Sequence, residues 1–171
     1  LALNNIGHGR GMDLALKMTA TKYALIFDSD IVMHKSPVEK MLAMMEKDTY
    51  GVGYLEKTGF DGFEYGAKPH HFQQGFMYML HPYFMLISVK EYFRFHRYVH
   101  HGAPCFKAAL DIHRRGLTKK IIKEFPGLGH SSGVGWTWKG EPREYIEHHT
   151  QGTRKIRREK GLREIEEGWE R

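Results

Sequence analysis

Residues 23–32 read YALIFDSDIV, an apolar run that ends in two carboxylates, Asp28 and Asp30, with one serine between them. Tyr23 to Phe27 is too short for anything but a buried strand. In an extended segment the side chains at i and i+2 share a face, so both carboxylates can turn toward one cation. Open α/β sheets place their ligand crevices at this end of a strand. Hard oxygen ligands suit Mg²⁺ or Mn²⁺, which keep coordination positions for water and phosphate, and that points to a nucleoside diphosphate. A polar turn capping the strand is the plain alternative.

Working outward, RGMDLALKMTA (10–20) has apolar Met12, Leu14, Ala15, Leu16 and Met18 and reads as a helix entered from the glycine-rich turn GHGRG. After the aspartates, SPVEKMLAMMEKD places Ser36 as N-cap, Pro37 in the first helical position and Glu39 to close a capping box. YGVGYLE (50–56) reads as a strand, Lys57 to Gln74 as a long loop, and YFMLISV (83–89) as a further strand. That strand runs into a helix with a second capping box, Ser88 and Glu91. Pro104 starts a helix that carries Asp111 and stops at Gly116, and TKKIIKEF reads as a fourth strand. The loop PGLGHSSGVGWTWKG follows, and from Glu141 the chain reads as helical, mixing both charge signs with few apolar positions. Strands and helices alternating over short links make an α/β layered domain.

The 171 residues fit one domain, 1–171, of which 141–171 is a helical extension. Hydrophobic residues make up 41% and charged residues 27%, with no apolar run long enough to cross a membrane. Cys105 is the single cysteine, which excludes a disulfide framework and a thiolate metal cluster and favours a reducing, cytoplasmic setting. The formal charge of +6 suits an anionic partner. Basic residues are interleaved with acids and form no nucleic-acid module, so nucleic acid ranks last. Of the 12 histidines, several come as adjacent pairs, including His70-His71, and most read as solvated surface residues. His96 and His100 are spaced i and i+4, but HRYVH lacks the glutamate of a zinc-protease helix, which speaks against a metal-dependent hydrolase.

The stretch NNIGHGRGMDLALKMTATKYALIFDSDIV resembles the middle of GT-A fold glycosyltransferases, the family-2 group in particular. Gly7 stands where the family has its loop glycine, Tyr23 where an aromatic starts the strand, and Asp28-Ser29-Asp30 where the Asp-x-Asp metal motif lies. The resemblance extends more faintly to about residue 138, with IIKEFPGLGHSSG as its second anchor. It implies a GT-A-like three-layer sandwich with a mixed β-sheet that lacks part of the N-terminal nucleotide-binding half. It implies metal-dependent transfer of a sugar from a UDP- or GDP-sugar to a hydroxyl acceptor. Asp28, Asp30 and His130 would hold Mn²⁺ or Mg²⁺, and Gly7 and Arg10 would lie toward the diphosphate. Trp136 and Trp138 project from the His130 loop, where their faces could stack on a sugar or simply pack.

This chain departs from the family in three places. Met12 and Asp13 stand where an Arg-Asn pair is common, with Arg10 out of register. Ala108, Ala109 and Leu110 stand where an acidic pair usually supplies the base, leaving Asp111 either as that base or in a helix salt bridge with Arg114 or Arg115. Only about twenty residues precede the Asp-x-Asp strand, so the chain is expected to be a fragment or shortened domain. A missing strand would bare a sheet edge and favour a homodimer through it. The alternative reading from another class is a non-catalytic binding or assembly module derived from the same fold.

Overall fold

The computed structural model of the chain describes residues 7–29, 31–98, 103–128 and 145–148. Helix α1 (His8–Met18) starts from Gly7, whose φ of 81° lies in the left-handed region that glycine adopts without strain. Met12 and Leu16, one turn apart, bury its inner face. Strand β1 (Tyr23–Phe27) and the short β2 (Ile31–Met33) flank the two aspartates, and α2 (Val38–Ala43) leads to β3 (Gly51–Thr58). Then come α3 (His71–Gln74), β4 (Met77–Ser88), α4 (Val89–Tyr92), α5 (Phe106–Arg114), α6 (Thr118–Ile121), β5 (Ile122–Glu124) and β6 (Ile146–His148).

Four strands form one mixed sheet in the order β1-β4-β3-β5, with β4 antiparallel to both β1 and β3 and β3 parallel to β5. Side chains of α1, α4, α5 and α6 pack with one apolar cluster that includes Met85 and Ile87 of β4. Met41 of α2 and Ile146 of β6 pack with a second cluster that includes Val52, Phe84 and Leu86. Helices and the β2–β6 ribbon thus cover a central sheet in the expected α/β layering. Gly53 lets β3 and β4 close up, because a Cβ there would sit 2.7 Å from the Phe84 carbonyl oxygen. Among the described residues no strand pairs with the outer side of β1, whose Phe27 is 53% exposed.

Several local expectations change. Ser88 caps α4, its Oγ accepting the Glu91 N–H at 3.4 Å, but the expected box stays open, because the Ser88 N–H goes to the Tyr50 carbonyl and the Glu91 carboxylate to Arg94. Ser36 instead takes the Val38 N–H at 3.4 Å in a local turn, and α2 begins one residue after Pro37 with no side-chain cap. TKKI is a helical turn with only Ile121 buried, so the strand expected over TKKIIKEF shrinks to three residues. β4 begins at Met77 rather than Tyr83, because Met77, Met79 and Leu80 are also buried. The expected loop 57–74 includes the end of β3 and all of α3. Ile146–His148, expected as helix, is instead a strand, paired with Ile31–Met33; residues 149–171 lie outside the described residues.

Candidate functional site

Asp28 follows β1 directly and prolongs its ladder, donating its N–H to the Tyr83 carbonyl at 2.9 Å. Its carboxylate is 29% exposed, with Oδ1 4.0 Å from His8 Nε2 in the first turn of α1. The glycine turn at Gly7 therefore brings the amino end of α1 against the carboxyl end of β1. The positive end of the helix dipole lies there. Arg10 is exposed on the same helix. Asp30, His130, Trp136 and Trp138 lie outside the described residues.

Asp111 sits in the C-terminal half of α5, where Oδ1 and Oδ2 accept Nε and Nη2 of Arg115 at 2.8 and 3.0 Å. Of its two readings, the helix salt bridge is the contact the structure makes. Cys105, six residues earlier, is the N-cap of α5.

A different carboxylate, Glu56 of β3, has a perturbed setting. Tyr83 of β4, bonded to Asp28 through its carbonyl, packs its ring against His81 at 5.3 Å and Tyr54 at 5.8 Å. His81 Nδ1 accepts the Tyr83 N–H at 3.2 Å, which leaves the ring proton of neutral His81 on Nε2. Nε2 in turn stands 3.9 Å from Oε2 of Glu56 on β3. The β3–β4 register shifts at this place, between Gly53 and Leu55, a local irregularity of the kind that re-aims side chains beside active sites. Glu56 is only 9% exposed; burial, with the charge of Glu64 adding to it, pushes its carboxyl up to about 7. Burial raises the Cys105 thiol as well. Sequence reasoning passed over Glu56; its one signal was a lone acid in the otherwise apolar YGVGYLE.

The His70-His71 pair also departs from expectation, since His71 is fully buried. Both rings converge on Asp61. Oδ1 accepts the Phe63 N–H at 3.2 Å and His71 Nε2 at 3.0 Å, and Oδ2 accepts Lys68 Nζ at 3.0 Å and His70 Nε2 at 3.1 Å. The three side chains offer ligand atoms within 4.8 Å of one another, the spacing of a metal centre. Yet His71 Nδ1 accepts the Gly66 N–H at 3.1 Å, so its proton occupies Nε2, and four donors already fill the acceptor positions of Asp61. The group is a clasp for the loop. Burial opposes ionisation of Asp61, but the bonds from Lys68, Phe63, His71 and His70 outweigh it and hold the carboxyl well below the usual range. Asp61→Ala is expected to cost about 1–3 kcal/mol, as for lost hydrogen bonds to a charged group. Hydrogen exchange should speed up at residues 63–75 first; unchanged protection there would remove the clasp.

A family model described as Glycosyl transferase family 2 matches residues 2–113. No curated protein and no solved structure matches the chain.

Proposed function

The chain belongs to glycosyl transferase family 2, and from that premise we propose that it moves a sugar from a nucleoside-diphosphate donor to a hydroxyl acceptor, with a divalent cation at Asp28-Ser29-Asp30. The observation that carries this reading is the position of Asp28. It ends β1, is open enough to be reached, and faces the amino end of an eleven-residue helix. Carboxylate oxygens of this kind fit a hard cation, and Asp28 and Asp30, with His130 as the expected third ligand, would hold Mn²⁺ or Mg²⁺. Such a cation supplies neutralising charge for the diphosphate leaving group. The chain's own part is to place the donor's phosphates between the Asp-x-Asp turn and the first N–H groups of α1. Gly7 shapes that approach, and Arg10 adds positive charge nearby.

A UDP- or GDP-sugar is the proposed donor. The test is calorimetric titration of UDP and of GDP with and without Mn²⁺. Binding is expected only with the metal, and Asp28→Ala is expected to weaken it by 10-fold or more, about 1.4 kcal/mol or above. A folded sample that binds neither nucleotide with metal present would remove the donor reading. The engagement of Asp111 by Arg115 favours a second reading, a binding module without turnover. Metal-dependent nucleotide binding with no release of nucleotide from any UDP- or GDP-sugar would select it. Among the described residues no helix is long and apolar enough to cross a membrane.

A further inference from the structure

Two segments interleave acids with bases along the chain but not at the surface. Residues 8–22 hold Arg10, Asp13, Lys17 and Lys22, and residues 88–97 hold Lys90, Glu91, Arg94 and Arg97. The fold turns both acids inward. Asp13 is buried and accepts from Tyr92, Arg97 and Lys17, and Glu91 is buried and accepts from Arg94. Arg10, Lys17, Lys22, Lys90 and Arg94 are exposed and Arg97 is half-buried, so the charge these segments show to water is positive. The two segments lie side by side. Arg97 and Lys17 share the Asp13 carboxylate, and the Val89 N–H goes to the Lys22 carbonyl at 3.1 Å. By contrast, α2 and the turn after it expose Glu39, Glu46 and Asp48 beside Lys40 and Lys47.

Apolar side chains stand among these cations. Leu14 is 46% exposed and Met18 77% exposed, one turn apart on α1, while Met12 and Leu16 take the buried side of the same helix. Arg10, four residues before Leu14, and Lys17, three after it, share its face. On the neighbouring segment Phe93 is 41% exposed, and the Arg97 guanidinium carbon lies 4.5 Å from its ring centroid. The surface therefore combines large apolar groups with a rim of long basic side chains.

We propose that this face seats the protein on an anionic membrane surface. Leu14 and Met18 enter the boundary between headgroups and acyl chains, and the lysines and arginines around them meet lipid phosphates and carboxylates. Long basic side chains suit that depth, because their stems cover apolar surface while the charge stays at the headgroups. A nucleic acid would answer the cations but leave Leu14 and Met18 in water. A second copy of the same face would set cations against cations. The inference goes beyond the glycosyltransferase reading and does not depend on it.

The experiment floats the full chain with phosphatidylcholine vesicles, with and without about one third phosphatidylserine. Wild type is expected to rise with the anionic vesicles, to stay behind with the neutral ones, and to let go as salt is raised. Leu14→Ser with Met18→Ser should weaken vesicle binding about 10-fold, and Lys22→Glu with Lys90→Glu about 10-fold or more. Urea unfolding like that of wild type shows that each pair is folded. A measurement on wild type alone needs no variant: anionic vesicles should slow the oxidation of Met18 by dilute peroxide, read by mass spectrometry. A wild type that ignores anionic vesicles, or binds neutral ones equally, overturns the proposal. So does a folded serine pair that binds as wild type does, or a vesicle-bound Met18 that oxidises at the free rate. Tighter capture of duplex DNA or RNA than of the vesicles would assign the face to nucleic acid instead.

Discussion

Asp13→Ala is expected to destabilise the protein by about 1–3 kcal/mol, the cost of leaving the buried Tyr92 hydroxyl without its charged acceptor. Asp13 is buried on α1 and accepts from three donors: the Tyr92 hydroxyl at 2.6 Å, Arg97 Nη1 at 3.0 Å, and Lys17 one turn along its own helix. The chain of contacts goes deeper. Tyr92 Oη also accepts the Tyr98 N–H at 3.0 Å, and the Tyr98 hydroxyl meets that of Tyr50 at 2.7 Å. Tyr50, Tyr92 and Tyr98 are all buried, so without Asp13 the Tyr92 proton has no ionised acceptor inside the core. Urea unfolding at pH 7 reads the loss, and for a chain of this size the melting temperature should fall on the order of 5 °C. Burial opposes ionisation of Asp13, but the bonds from Lys17, Tyr92 and Arg97 prevail and lower its pKa. Its contribution is therefore present above the ordinary aspartate range and fades as pH falls through the lowered value. The gap between wild type and Asp13→Ala should narrow in acid; a gap below 1 kcal/mol at pH 7 would contradict the network.

The second large effect has the opposite sign. Glu56→Gln is expected to be more stable than wild type at pH 8 and equal to it near pH 4. The folded carboxyl titrates at about 7 against an ordinary 4.5, so between those values the folded protein holds a proton that the unfolded chain has released. Stability falls as pH rises through that window, and the full penalty, on the order of 3 kcal/mol, stands above the folded value. Glutamine imitates the protonated acid and carries no such slope. Chemical denaturation at several pH values measures it, and parallel curves for the two proteins would show that Glu56 is not buried as described.

The strand that ends at Asp28 was legible because five apolar residues in a row have few alternatives, and β1 spans the residues expected. Ser88 was legible because a cap is a local device, satisfied within three residues. What escaped depends on partners far along the chain. β2 and β6 are three residues each and exist only as a pair, so neither has a period to read. His71 is buried because Asp61, ten residues back, receives it, and adjacent histidines give no hint of that. Glu56 looked like one more strand residue; its chemistry comes from what β4 and its neighbours stack around it. For Asp111 the sequence offered both roles, and the contact with Arg115, four residues along the same helix, is visible only in the geometry.

The β2–β6 pairing sets an order in time. Ile31 pairs with His148, Tyr145 accepts the His34 and Lys35 N–H groups, and its hydroxyl takes Lys40 Nζ across 105 residues of chain. Contacts so distant in sequence close slowly. On a ribosome, β1 and α1 are synthesised long before residue 145 emerges, so the strand that follows the Asp-x-Asp turn must wait for its partner. The motif is thus among the first parts of the described fold to be made and among the last to be enclosed, and an interrupted nascent chain would carry the aspartates without the ribbon that flanks them.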